Sequence, residues 1–374
     1  MSADRIRVLC IFGSRPEAIK FAPVISAMNK WPTHFESVIC LTGEDEGVRQ
    51  VLKVFDLQED HQIAACASAN ELDAVTCHIL GELRDVLIAA DPHVALVQGD
   101  TETTFAGALA CFYRGIPVGH IEAGVRSQSK FSPFPEEMNR RLSDCLCDLH
   151  FAPTEQNRQQ LLAEGCLDES VVVSGNPVID ALSMIVPHIR TNEEGFRVLE
   201  SVGDSRIILF TCHRRASYGD DLEEICEMLD KIVAERSDVV VACPLHDELR
   251  DRVEMTIGGD KRFRLLQPLS YVAFVGLMER SHIVLTDSDG IQEEAISLDK
   301  PVLLLREHTE RPEAIECGGV KLVGTSTEDI RNEALRLLDE PQAYYEMAES
   351  ANPFGDGKAG IRIVNSLYRR YADK

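Results

Sequence analysis

Three groups of carboxylates fall between Gln98 and Arg141. They are Gly99-Asp100-Thr101-Glu102-Thr103-Thr104, His120-Ile121-Glu122-Ala123-Gly124-Val125-Arg126 and Pro133-Phe134-Pro135-Glu136-Glu137-Met138-Asn139-Arg140-Arg141. Each stands where an apolar run or loop gives way to the next element. In an open parallel sheet the carboxyl ends of the strands border the ligand crevice. Like charges gathered there raise some pKa values toward neutrality, so that an acid and a base coexist at pH 7. Singly, each acid has a structural alternative. Asp100 is a good helix N-cap, Glu122 is spaced to pair with Arg126, and Glu136 and Glu137 suit the positive end of a helix dipole. Their succession at strand tops or helix mouths favours proton transfer.

The second half carries a different apparatus, suited to an anionic nucleotide. Thr211-Cys212-His213-Arg214-Arg215 ends an apolar run with a cationic trio that fits a diphosphate. The alternative is a structural histidine at His213. In Thr286-Asp287-Ser288-Asp289-Gly290-Ile291-Gln292-Glu293-Glu294, Ser288 and the amides around Gly290 form an anion seat at a helix N-terminus. Glu294, one turn further in, is placed to accept from both ribose hydroxyls; otherwise Glu293 and Glu294 are exposed charges. Arg311, in Thr309-Glu310-Arg311-Pro312-Glu313, adds positive charge for phosphate. Near the start, Gly13-Ser14-Arg15-Pro16-Glu17-Ala18-Ile19-Lys20 has one glycine, so it is neither a dinucleotide fingerprint nor a Walker loop. Arg15 and Lys20 there either meet a phosphate or hold the crevice together, and Arg15 could instead pair with Glu17 or another surface acid. No segment has metal-ligand spacing or a serine or cysteine nucleophile motif.

These groups need a scaffold of strands with open carboxyl ends. Runs of strand length at 7–12, 37–41, 94–98, 116–121, 149–151 and 171–173 alternate with helical stretches. The pattern restarts at 207–211, with a helix over 222–235, and continues at 239–243, 263–266, 282–285, 302–305 and 320–323. This is the signature of two parallel α/β sheets. At 374 residues the chain exceeds what one core supports. The expected lobes are 1–174, completed by a closing helix at 360–374, and 175–359. A net charge of −24 argues against nucleic acid or an anionic membrane surface as partner. No apolar run reaches the ~18 residues of a membrane helix, and the N-terminus has no basic-plus-apolar signal region. The twelve cysteines are scattered without a Cys-x-x-Cys pair, as expected of reduced thiols in a cytoplasmic protein.

Taken together, the segments 12–23, 99–104, 120–126, 132–141, 175–182, 213–219, 286–295, 309–314 and 352–358 resemble the bacterial non-hydrolysing UDP-N-acetylglucosamine 2-epimerase family, in the family's order. The resemblance implies a GT-B fold of two Rossmann-like domains facing a cleft that holds the UDP-sugar. It implies reversible conversion of UDP-N-acetylglucosamine to UDP-N-acetylmannosamine, by anti elimination of UDP to a 2-acetamidoglucal and re-addition on the other face. Such an enzyme needs no cofactor or metal and supplies precursors of cell-surface polysaccharide; a homodimer is expected. By position, Asp100, Glu122 and Glu136 match the catalytic carboxylates. His213 matches the histidine that contacts the diphosphate and supports leaving-group departure. Arg15, Ser288, Gly290, Glu294 and Arg311 match residues that hold UDP, Lys20 matches a lysine of the first motif, and Phe274 lies near the expected uracil pocket.

The chain also departs from the family's pattern. Glu44, Asp45 and Glu46 stand where Gln-His and a basic or aromatic residue are usual, and His78 replaces an Arg. These changes fall on the family's site for a second, activating UDP-N-acetylglucosamine, so weak or absent activation is expected. Ala216 replaces a Glu, Ser270 an Asp, and Asp289 a Gly; Asp289 adds negative charge beside the expected phosphate seat. Rival readings are a hydrolysing epimerase, an epimerase of a modified UDP-hexosamine, a GT-B glycosyltransferase and a non-catalytic UDP-sugar-binding protein.

Overall fold

The structure, a computed structural model, describes residues 5–68, 71–127, 129–212, 221–245 and 247–372. Near-continuous apolar strands force two parallel sheets, because strands buried on both faces have no polar side to offer water. The first comprises β1 (Ile6–Phe12), β2 (Phe35–Leu41), β3 (His61–Gln62), β4 (Val94–Gln98), β5 (Val118–Ile121), β6 (Leu149–Ala152) and β7 (Val171–Val173). They lie in the order β3-β2-β1-β4-β5-β6-β7, all pairs parallel. The second comprises β8 (Arg206–Thr211), β9 (Val239–Pro244), β10 (Phe263–Leu266), β11 (Ile283–Thr286), β12 (Val302–Leu304) and β13 (Val320–Leu322). Its order is β10-β9-β8-β11-β12-β13, again all parallel. Chain order reverses once in each sheet, between β1 and β4 and between β8 and β11. Those are the switch points where a crevice opens at the carboxyl ends.

Helices pack by their apolar stripes. Ile79, Leu83 and Leu87, four residues apart on the helix Leu72–Ala90, join a core with Leu9, Ile11, Ala95 and Val97. Ile225 and Leu229 of the helix Asp221–Glu235 do the same against Ile208, Phe210 and Val241. Each fully buried Leu or Ile contributes about 1.5–3 kcal/mol relative to exposure, so each sheet has its own apolar support. No helix among the described residues is long and apolar enough to cross a membrane.

The expected strands are present, with ends displaced by a residue or two; β2 begins earlier, at Phe35, and β5 later, at Val118. The edge strand β3 has two residues, too few to show a period in the sequence. The chain divides into Met1–Ala181 with Phe354–Lys374, and Leu182–Pro353. These limits differ from the 174/175 and 359/360 boundaries read from sequence, and hydrogen bonds explain the difference. Asn176 N–H donates to the Phe354 carbonyl at 2.7 Å. The Asp180 carboxylate accepts from Ala359 N–H (3.0 Å) and Gly360 N–H (2.9 Å), at the start of the helix Ala359–Tyr371. That helix packs on Arg15–Asn29 closely enough that a Cβ on Gly360 would lie 2.9 Å from the Pro23 carbonyl. Both junction segments are thereby bound to the first unit.

Candidate active site

The turns after β1 and β4 meet at the first switch point. Gly13 follows β1 because nothing larger fits: a Cβ there would lie 2.2 Å from Thr42 Oγ1. Glu17, buried in the first turn of Arg15–Asn29, accepts from Gly13 N–H (2.9 Å), Ser14 N–H (2.7 Å) and Thr101 Oγ1 (2.6 Å). Burial raises its pKa against the pull of these bonds. Glu17 thus clamps the β1 turn to the β4 turn. Lys20, one helical turn on, places its ammonium on the Glu122 carboxylate.

Glu122 directly follows β5 in the left-handed region, with φ 68°, a conformation that costs a non-glycine residue about 1–3 kcal/mol. Its side chain is 5% exposed and is held by Lys20, by the Gln98 amide from the end of β4, and by Asn176 Nδ2 at 3.5 Å. Each of these three groups donates to the carboxylate. Arg126 is not its partner; that guanidinium binds Asp144 (2.6 Å) and Glu164 (2.7 Å). Asp100 is not the helix cap either. Thr101 caps Glu102–Phe112, accepting from Thr104 N–H, while Asp100 accepts from Arg140 at 2.5 Å. Asn139 Nδ2 donates to the Asp100 carbonyl at 3.0 Å, so the helix Glu136–Leu146 holds the Asp100 turn from both sides. Of the adjacent glutamates, Glu137 is the structural one: fully buried, it accepts from Ser127 N–H and Arg141 Nε, each at 2.9 Å. Glu136 is the first residue of that helix and half-buried.

A supporting layer lies beneath these acids. His120 Nε2 donates to the Gly99 carbonyl at 2.8 Å, and Nδ1 faces Asp144 at 2.6 Å. Gly99 itself has φ 78°, the turn that presents Asp100. Burial works against ionised Asp144, but His120 and Arg126 outweigh it and lower its pKa to about 2. Motif and spacing do not mark Glu17, Gln98, His120, Asn139, Arg140, Asp144 and Asn176 as site residues. The available signal was their type: polar residues inside or beside apolar runs, which burial obliges to find partners.

At the second switch point, Ser288 is the N-cap of Asp289–Ser297 and donates its N–H to Thr286 Oγ1 at 3.0 Å. A Cβ on Gly290 would meet nothing within 4 Å, leaving open space over the helix mouth. Glu293 and Glu294 are buried, contrary to the exposed alternative. Tyr271 Oη donates to Glu294 at 2.7 Å, and Glu293 holds the Arg311 guanidinium, both side chains of that pair being buried. Asp289 Oδ1 accepts from Arg306 (2.6 Å) and Gln292 Nε2 (2.9 Å). Phe274 is half-buried on the helix Tyr271–Arg280, whose N-cap remains functional with Ser270 accepting from Ala273 N–H. His213 and Ala216 lie outside the described residues.

Comparison with known proteins decides the family. The family model described as UDP-N-acetylglucosamine 2-epimerase matches residues 27–368. The UDP-N-acetylglucosamine 2-epimerase of Salmonella typhimurium is 43% identical over 372 residues, covering 97% of this chain and 98% of the relative. This chain belongs to the UDP-N-acetylglucosamine 2-epimerase family. The Neisseria meningitidis UDP-GlcNAc 2-epimerase, solved bound to UDP-GlcNAc, superposes with a TM-score of 0.92 at 41% identity, covering 97% of this chain and 100% of that one. The Methanocaldococcus jannaschii UDP-GlcNAc 2-epimerase, solved with UDP-GlcNAc and UDP, gives 0.85 at 32% identity, covering 97% and 99%. The fold is accordingly GT-B-like, built from the two parallel sheets described.

Within this epimerase-family chain, one switch point gathers Arg15, Lys20, Asp100 and Glu122, tied through Arg140 to the helix of Glu136. The other gathers Ser288, Gly290, Glu294 and Arg311. The departures at 44–46 are exposed, and Asp45 caps Glu46–Val54 by accepting from Gly47 N–H at 2.7 Å. His78 Nε2 lies 2.8 Å from the Ala64 carbonyl.

Proposed function

We propose that this chain interconverts UDP-N-acetylglucosamine and UDP-N-acetylmannosamine without net hydrolysis. The observation that carries the reading is the setting of Glu122: left-handed, buried and surrounded by donors, at the carboxyl edge of the sheet that also presents Asp100. A strained, ionised carboxylate is stable only where its surroundings over-determine it, and such strain collects at functional sites.

Epimerisation at C2 removes a proton from one face and returns it to the other. Two differently placed acid–base groups serve this better than one. Glu122, kept ionised by the Lys20 ammonium, takes the role of proton acceptor. Lys20 acts there as the counter-charge of Glu122 and not as a phosphate ligand. Asp100, fixed by Arg140, and Glu136, at the mouth of its helix, supply the second face and assist departure of the diphosphate. UDP leaves anti to the C2 proton, the 2-acetamidoglucal stays bound, and UDP re-adds. Ser288, Gly290, Glu294, Phe274, Arg15 and Arg311 hold the nucleotide, with His213 at the diphosphate.

The test is incubation with UDP-N-acetylglucosamine in deuterated water, followed by NMR. Deuterium entering C2 while the nucleotide stays attached supports the proposal. Stoichiometric free UDP and free N-acetylmannosamine would establish the hydrolysing reaction instead. Absence of exchange would refute epimerisation of this substrate.

A further inference from the structure

Asp289 opens the helix Asp289–Ser297 at the β8/β11 switch point, where the unpaired N–H groups of a first turn would otherwise face a ligand anion. Its carboxylate therefore brings negative charge to the helix end that favours a phosphate. It also engages the two donors next to that position. Arg306, following β12, binds Oδ1 at 2.6 Å, with Arg306 and Asp289 only 12% and 16% exposed, so water screens their attraction weakly. Gln292, fully buried, turns its amide nitrogen to the same oxygen at 2.9 Å. That orientation leaves Gln292 Oε1 buried without a hydrogen-bond partner among the described residues. A buried unmet acceptor is costly, so the amide orientation is dictated by the carboxylate. The other Arg306 amino group is 3.5 Å from the buried Glu310 carboxylate, which keeps the guanidinium beside the helix mouth.

We propose that Asp289 is a built-in competitor for the diphosphate: its carboxylate stands in for a phosphate on Arg306 and the helix N-terminus, and an incoming nucleotide must displace it. The inference rests on the nucleotide-seat reading given above. Its consequence is a loosened hold on UDP. Each phosphate contact is gained only by giving up an internal one, so the seat binds the departing nucleotide less tightly than its cations alone would.

Calorimetric titration of the full chain with UDP tests this. Asp289→Asn keeps the shape and removes the charge, and it should bind UDP about tenfold more tightly than the unaltered chain. Asp289→Gly, with the side chain gone, should gain by a similar factor. In an Arg306→Ala background the Asp289→Asn gain should fall below about threefold, because the captured cation is absent. Uridine, which has no phosphate, should bind all variants alike. Unchanged or weaker UDP binding in both Asp289 variants, with melting temperatures matching the parent, would overturn the proposal, as would a full gain that persists without Arg306. A parent chain that does not bind UDP would instead bring down the nucleotide-seat reading itself, and this inference with it.

Discussion

The two switch points are built alike, and both balance acids against cations, but the pairs are drawn from different elements. In the first sheet the groups at the strand tops are acids, each held by donors: Glu122 by Lys20 and Gln98, Asp100 by Arg140, Glu17 by two backbone amides and Thr101. In the second, the described cations at the corresponding tops are held by acids: Arg311 by Glu293, Arg306 by Asp289. A parallel sheet with one reversal provides the crevice in both cases. On the proposed function, what fills it decides whether the crevice handles protons or phosphates, and in each the counter-ion is internal because a buried charge is costly without one. Fold and chemistry are thus separable here, and substitutions should separate them.

The largest effect should come from the acids. Asp100→Asn and Glu136→Gln should each lower turnover by about 10²–10⁴, the usual worth of a positioned acid or base. UDP affinity, measured by calorimetry, should stay within a few fold. Near-normal turnover would return both residues to a purely structural role.

Next in size is the buried pair of the second crevice. Arg311→Ala takes the guanidinium away from the fully buried Glu293, so stability should fall by about 3–5 kcal/mol in urea unfolding, and UDP affinity by about 10–100-fold. Replacing both residues by Leu should recover most of the stability and none of the affinity. Recovery of affinity in the double variant would show that Arg311 does not hold phosphate.

The pairing principle has a pH signature in the layer under Asp100. The Asp144 pKa is depressed to about 2 in the folded chain, so its contribution is present above the unfolded value near 4 and is lost as pH falls toward 2. The contribution is roughly 2 kcal/mol. Asp144→Asn should lower the melting temperature at pH 5 and flatten the acid limb between pH 4 and 2.5. An equally steep limb in the variant would place the acid sensitivity elsewhere.

Much of this contrast was legible beforehand. Buried parallel strands announce themselves as unbroken apolar runs, and the acids and cations stand directly after them. The partners were not legible, since Lys20 and Glu122 are 102 positions apart and only the sheet order brings them together. Adjacent look-alikes were equally opaque. Thr101 and not Asp100 caps its helix, and helix geometry turns Glu137 inward beside half-buried Glu136. The left-handed backbone of Glu122 has no sequence signal, because glutamate rarely adopts it. The buried state of Glu293 and Glu294 follows from Arg311 and Tyr271, which arrive from other segments.

The smallest expected effect concerns regulation. Glu44, Asp45 and Glu46 are exposed carboxylates, and Asp45 is committed to capping a helix. We expect weak or no activation by a second UDP-N-acetylglucosamine, because such acids repel a diphosphate and allosteric coupling is typically only ~1–3 kcal/mol. Pure UDP-N-acetylmannosamine should react without a lag. A long lag abolished by added UDP-N-acetylglucosamine would show that an activator site is present.

The division of labour between the crevices is tested most directly by the rate of C2 deuterium exchange at saturating UDP-N-acetylglucosamine, compared between Glu122→Gln and Arg311→Ala. The expected outcome is a loss of about 10²–10⁴ in the Glu122 variant and near-parental exchange in the Arg311 variant once saturated, since its defect is in binding. Exchange that survives in Glu122→Gln, or that is lost equally in saturated Arg311→Ala, would contradict it.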